Sequence, residues 1–206
     1  MPECLTVATG NIIIPKASGK GIKVDLVSPT FGWRDILGQI TTRGVGATDP
    51  DWAAIGASVM SAFKFSINDV AWISFHIPHD YVAGTDLYFH VHWLSDGIDT
   101  TNVVKWNFDY MYADGHGQTS SDFPVDSLPA AVTSSEASGG KYRHMVTETA
   151  AVTVTGCEPD GIIYMKIGRV TNGATDTTDD IFVLQIDIHY QSTNIGTKGK
   201  APDFYV

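Results

Sequence analysis

The chain has 206 residues, 43% of them hydrophobic and only 17% charged, which is long enough to bury about 70% of its unfolded surface as one domain. Thirteen basic residues scattered among 23 acidic ones give a formal charge of −10 and form no positive stripe, which excludes a phosphate-backbone binder. No apolar run approaches the roughly 20 residues of a membrane span, and the start MPECLTVATG lacks the basic-then-hydrophobic pattern of an export signal.

Twenty glycines, nine prolines and abundant Thr, Val and Ile tilt the composition towards strands joined by tight turns. Short apolar runs at Asn11–Ile14 and Gly21–Val27 read as edge strands of an N-terminal arm, residues 1–30. The segment FGWRDILGQITTRGVG suits a short strand with sharply turning ends. Asp49 before Pro50 has the form of a helix N-cap with proline at the first helical position, so Trp52, Ala53 and Ile55 are expected in two helical turns.

Strands follow at Met60–Ser66, Val70–Ile77, Leu87–Trp93 and along the alternation Val104, Trp106, Phe108, Tyr110, Tyr112. Residues 113–143 shift to Gly, Ser, Asp and Pro and read as a long surface loop. Met145–Glu148, Ala151–Thr155, Ile162–Val170 and Ile181–Tyr190 complete nine or ten strands, and a polar C-terminal tail spans residues 191–206. With no alternating helices, this predicts an all-β, jelly-roll-like β-sandwich over residues 31–190.

The most informative stretch is WISFHIPHDYVAGTDLYFHVHW, Trp72 to Trp93, which holds four of seven histidines and reads as one β-hairpin. Leu87, Phe89, Val91 and Trp93 alternate with Tyr88, His90 and His92, so a strand places the first set in the core and two imidazoles on the opposite face. All five tryptophans, Trp33, Trp52, Trp72, Trp93 and Trp106, fall mostly at core positions.

Gly84 followed by His90-Val91-His92 resembles the opening of the cupin signature, in which two strand histidines face inward and bind a metal. The later elements are missing: Asp96 stands near the place of the cupin glutamate, and His116, His144 or His189 would have to supply the third histidine. Asp187 and His189 repeat the alternation in IDIHY, so His90, His92, His189 and Asp187 are the candidate metal ligands if the two strands pair. A histidine on a sheet face more often hydrogen-bonds its neighbours, so no metal and no cofactor is expected. His76 and His79 around Pro78 are read as turn residues, with His79 or Asp80 bonding local backbone. No GxSxG elbow, cysteine–histidine neighbour or phosphate loop is present, so no catalytic residue is assigned and the chain is expected not to be an enzyme. Cys4 and Cys157 read as two free thiols.

The segments GWRDILGQITTRGVGATDPDWAAIG, FHIPHDYVAGTDLYFHVHW, YRHMVTETAAVTVTG, RVTNGATDTTDD and HYQSTNIGTKGKAPDFY resemble a family of tailed-bacteriophage proteins encoded among virion genes. The resemblance runs from Gly32 to Tyr205 and implies a virion structural protein of β-sandwich type, with no catalytic residues to carry over. The expected function is a capsid decoration or cement protein that stabilises the head shell as a homotrimer. Its expected partners are the major capsid protein or other virion proteins, without nucleic acid or membrane, and its place is the virion, assembled in the bacterial host cytoplasm. The arm and tail are the expected grasping elements. Two other readings stand beside it: a cupin-like metal-binding protein using His90, His92 and His189, and a tail or fibre module binding host glycan.

Overall fold

The computed structural model describes residues 32–42, 48–98, 103–119, 122–124, 128–134, 140–173, 176 and 179–193. Ten strands carry the described architecture: β1 (Gly32–Gly38), β2 (Asp51–Ala54), β3 (Ser61–Phe65), β4 (Val70–His76), β5 (Tyr88–Ser95), β6 (Lys105–Ala113), β7 (Leu128–Ser134), β8 (Met145–Glu148), β9 (Ile162–Val170) and β10 (Ile181–Ser192). They form two antiparallel sheets. The first runs β2-β3-β10-β5-β8 with β1 also on β10, and the second runs β4-β9-β6-β7.

The pairing has a simple logic. β6 and β7 pair, and so do β5 with β8, β4 with β9 and β3 with β10, four nested antiparallel pairs of one long folded ribbon. Further pairing of β10 with β5 and of β6 with β9 divides the ribbon between two sheets. This is the order of a jelly roll, and the expected fold class holds. β1 and β2 are additions at the β3 side of the first sheet.

Alternation explains why these segments pair as they do. Phe89, Val91 and Trp93 of β5, Trp106 and Phe108 of β6, Ile163, Met165 and Ile167 of β9 and Ile186 and Ile188 of β10 are all fully buried, one residue in two, between the sheets. Two core rings, Phe65 and Trp106, meet edge to face with centroids 5.5 Å apart. The sheets approach closely where β1 ends: a Cβ on Gly38 would stand 2.2 Å from Ile73 Cγ2, so only glycine fits there. Just beyond, Thr41 exchanges backbone hydrogen bonds with Trp72, carrying the chain from the first sheet to the edge of the second.

Several expectations are corrected. The stretch after Pro50 is strand β2, not a helix: its four residues pair with β3, and Trp52 packs edge-on against Phe63 at 4.9 Å. Two isolated helical turns have no such partner and a costly nucleus. Trp72–Trp93 is not a hairpin, because β4 belongs to the second sheet and β5 to the first, so residues 77–87 cross between layers. The loop at 113–143 contains β7, whose Pro129 is compatible with its edge position. Ala151–Thr155 contributes a single bridge, Val152 to Leu87, and β10 continues through Ser192 into the expected tail. Trp93 and Trp106 are core residues, while Trp33 and Trp52 are exposed. The expected strands at residues 11–14 and 21–27, Cys4 and most of the C-terminal tail lie outside the described residues.

Cys157 is a free, buried thiol, and burial pushes its pKa up to about 12 against a smaller opposing effect from the Tyr81 hydroxyl. Only roughly one thiol in ten thousand is then thiolate at pH 8, and the thiolate is the reactive form. In a Cys4→Ser background, Ellman's reagent is expected to leave the native protein unlabelled at pH 8 and to titrate one thiol in urea. Rapid labelling without denaturant would contradict the buried position.

Candidate functional site

Residues on the outer face of the first sheet come from four adjacent strands. Asp187 of β10 lies opposite His90 of β5, which lies opposite Glu148 of β8, so three polar side chains share one row across the sheet. On the next row His189 of β10 faces Asp35 of β1, and on the other side Gln185 faces His92. The two strands bearing the expected ligand set therefore pair, in the register that puts Asp187 beside His90.

The cluster is tight and its centre is dry. His90 and Asp187 are 2% exposed although they point away from the main core. His90 Nε2 lies 2.7 Å from Asp187 Oδ1, and His92 Nε2 lies 3.3 Å from the same oxygen. Both distances are short, yet none of these three atoms has a directed hydrogen-bond partner. Two of the outer atoms are better held: His92 Nδ1 is 2.8 Å from His144 Nε2 and Gln185 donates to Asp187 Oδ2 at 3.2 Å, whereas His90 Nδ1 makes no hydrogen bond among the described residues and has Glu148 Oε2 only at 3.9 Å.

His189 is engaged at both nitrogens, with Asp35 Oδ1 at 2.7 Å and Glu148 Oε2 at 2.8 Å, while its ring sits 3.9 Å from that of His90. Two sets of three groups have geometry that could hold an ion: His90, His92 and Asp187, and Asp35, His90 and His189. Burial lowers the pKa of His92, with Asp187 opposing and His90 and His144 adding to the fall. For Asp187, burial acts to raise the pKa, but contact with His90, the charge of His92 and the Gln185 amide together hold it below the ordinary carboxylate value.

The inward placement that the cupin resemblance implies is not found. Period-two alternation gives the interior to Phe89, Val91 and Trp93, leaving His90 and His92 on the outer face. Asp96 stays apart, its backbone N–H bonding Asp180 O.

The three remaining histidines also converge. His76 and His79 place Nε2 at 3.2 and 3.0 Å from Asp160 Oδ1, and His116 places Nε2 at 2.7 Å from Asp160 Oδ2. Burial opposes ionisation of Asp160, yet the His116 hydrogen bond and the His79 and His76 charges lower its pKa overall. His76 and His79 are thus partners of a distant carboxylate in addition to their place around Pro78. Asp80 does not serve its own turn through its side chain: it accepts from Arg34, Tyr190 and Ser192 at the end of the first sheet. Sequence reasoning missed Asp160, Glu148 and Asp35, which lie far along the chain from the histidines they meet, and Gln185, which bonds Asp187 two residues away. Signals existed for Glu148, four residues after His144 in HMVTE, and for Gln185, which alternates with Asp187 and His189 in QIDIH.

No family model and no curated protein sequence matches the chain. Among solved structures, it is similar to the receptor-binding domain of the spike protein P1 from bacteriophage PM2, at 10% identity and a TM-score of 0.33, covering 81% of this chain and 99% of that one. The xylan-binding module CBM15 aligns at 12% identity and a TM-score of 0.34, covering 82% and 95%. The CBM22-1–GH10 modules of Clostridium thermocellum xylanase 10B align at 14% identity and 0.32, covering 76% of this chain and 26% of that one. Scores this low fall short of a common topology.

Proposed function

We propose that the protein is a non-enzymatic structural component of a tailed-bacteriophage virion, a trimeric decoration protein that binds the major capsid protein of the head shell through the segments flanking its sandwich. The sequence resemblance from Gly32 to Tyr205 supports the virion assignment. The jelly roll itself is neutral, since capsid, lectin and cupin domains all use it.

The observation that carries the attachment mode is the register of β1 on β10. Gly32 pairs with Ser192, so the chain enters β1 and leaves β10 side by side. The described residues of this sheet therefore begin and end at one corner of it. Extended segments can add to a neighbour's sheet edge, and two leaving one corner raise each other's effective concentration at a common target. Asp80 fastens this corner: it accepts from Arg34 Nη1 at 3.2 Å, from the Tyr190 hydroxyl at 2.9 Å and from Ser192, while its carbonyl accepts the Thr193 N–H.

Deleting residues 1–31 is expected to abolish co-sedimentation with head shells while leaving circular dichroism and the thermal midpoint near those of the full chain. Full shell occupancy by the truncated protein would reject the clamp. A second reading, a tail or fibre module for host glycan, is favoured by Trp33, 52% exposed and held edge-on by Tyr88 at 5.4 Å, because an exposed aromatic face suits a sugar ring. Glycan-array binding that disappears in Trp33→Ala would promote it over the first.

A further inference from the structure

We propose that His90, His92 and Asp187 form a binding site for one divalent transition-metal ion of the zinc type, on the outer face of the first sheet. His90, His92 and Asp187 each offer one ligand atom within 4.8 Å of the others, and among the described residues the buried atoms His90 Nε2, His92 Nε2 and Asp187 Oδ1 make no directed hydrogen bond. Buried polar atoms left without partners are costly, and three of them aimed at one point identify a missing common partner. Protons answer poorly here, because one carboxylate oxygen lies between two imidazole nitrogens at 2.7 and 3.3 Å without suitable angles to either. A cation accepts all three lone pairs at once. Ligands held at about 2.0–2.1 Å by a tetrahedral ion stand about 3.3–3.4 Å apart, so the trio needs an adjustment of roughly 0.6 Å at its shortest edge.

The surroundings fit the same reading. Metal-bound imidazoles and carboxylates are oriented by partners on their outer atoms. Here His144 meets Nδ1 of His92 and Gln185 donates to Oδ2 of Asp187, while the nearest carboxylate to Nδ1 of His90, Glu148, stands at 3.9 Å and is held by His189. Two neutral imidazoles and one carboxylate leave a divalent ion with one net positive charge, which the Glu148 carboxylate, 3.9 Å from the His90 ring nitrogen, is near enough to offset. Burial favours the neutral form of His92 that ligation requires, and Asp187 is held ionised. The alternative trio of Asp35, His90 and His189 is the weaker choice, because both His189 nitrogens already have carboxylate partners. Nitrogen and oxygen donors with one carboxylate suit Zn²⁺, Co²⁺, Fe²⁺ or Mn²⁺ rather than Ca²⁺.

The inference is independent of the virion assignment and is tested on the full chain after dialysis against chelator. Zn²⁺ titrated by calorimetry is expected to saturate at one ion per chain, and Co²⁺ is expected to develop visible ligand-field bands that Zn²⁺ abolishes. His92→Gln, with a partly exposed ring, should keep the near-ultraviolet circular dichroism and weaken Zn²⁺ about 100-fold or more. His144→Ala should weaken it about 10-fold through loss of orientation. His116→Gln, in the Asp160 cluster, should leave Zn²⁺ affinity unchanged. The proposal is overturned by absence of saturable binding, by Zn²⁺ affinity unchanged in a folded His92→Gln protein, or by an equal loss in His116→Gln.

Discussion

Trp106→Ala is expected to destabilise the protein by about 3–5 kcal/mol, the usual cost of removing a large buried aromatic. Trp106, the second residue of β6, is fully buried and meets Phe65 edge to face, so the substitution opens an apolar cavity between the sheets. Domains of this kind have about 5–15 kcal/mol to lose, so the variant sits near the edge of folding. Urea denaturation followed by far-ultraviolet circular dichroism measures the effect. A paired comparison sharpens it. Among the described residues the Trp106 indole N–H has no hydrogen-bond partner, whereas that of Trp93 donates to Thr147 Oγ1 at 2.9 Å. Phenylalanine at 106 removes an unsatisfied donor; phenylalanine at 93 strands the Thr147 hydroxyl in the core. Trp93→Phe should therefore cost about 1–2 kcal/mol more than Trp106→Phe. Equal costs would mean that the indole nitrogens contribute nothing to the difference.

The same residues show what was legible before the structure. β5 and β6 were readable because burial on one side only leaves a period-two pattern, as Phe89, Val91 and Trp93 or Trp106, Phe108 and Tyr110 demonstrate. β2 was misread because Asp49-Pro50 is a sound local helix start, and only pairing with β3 overrides it. The supposed hairpin failed for a related reason: two strands eleven residues apart can pair or can cross between layers, and only the nested pairing of β4 with β9 and β5 with β8 decides. For the candidate site, the sequence put His90, His92, Asp187 and His189 on single strand faces, and the β5–β10 register brought them together. What it could not supply was which of the spare histidines reaches the cluster, His144 as it turns out, or that Glu148 of β8 and Asp35 of β1 join it, because only the sheet register brings these strands together. The Asp160 cluster was invisible on the same ground, its histidines lying 44 to 84 positions away.

Replacing Arg169 by methionine should cost about 3–5 kcal/mol at neutral pH, comparable to losing a core tryptophan, because it leaves buried partners uncompensated. Arg169 is 4% exposed, and its guanidinium donates to the Phe65 carbonyl at 2.8 Å. Its backbone bonds Asn68 and Asp69, so one residue of β9 holds the whole turn between β3 and β4. Asp69 is buried as well. Burial raises its pKa, a bond from the Ser66 N–H pulls it down, the nearby Asp51 charge raises it again, and the Arg169 charge then helps to pull it down. Methionine removes that help, so the Asp69 pKa rises further in the folded state. The sign follows from linkage: an acid whose folded pKa lies above the unfolded value contributes stability that is complete below the unfolded pKa and is lost as pH rises through the folded pKa. The deficit of Arg169→Met relative to wild type should therefore shrink on acidification from pH 7.5 towards the ordinary aspartate range at about pH 4, as Asp69 becomes neutral more readily in the variant. Adding Asp69→Asn should recover part of the loss at pH 7.5 and flatten its pH dependence, a coupling of the kind expected for groups that share partners. Urea midpoints of the four proteins at both pH values test this. A deficit independent of pH, with additive single and double variants, would show that Arg169 acts through packing and its bond to Phe65 alone.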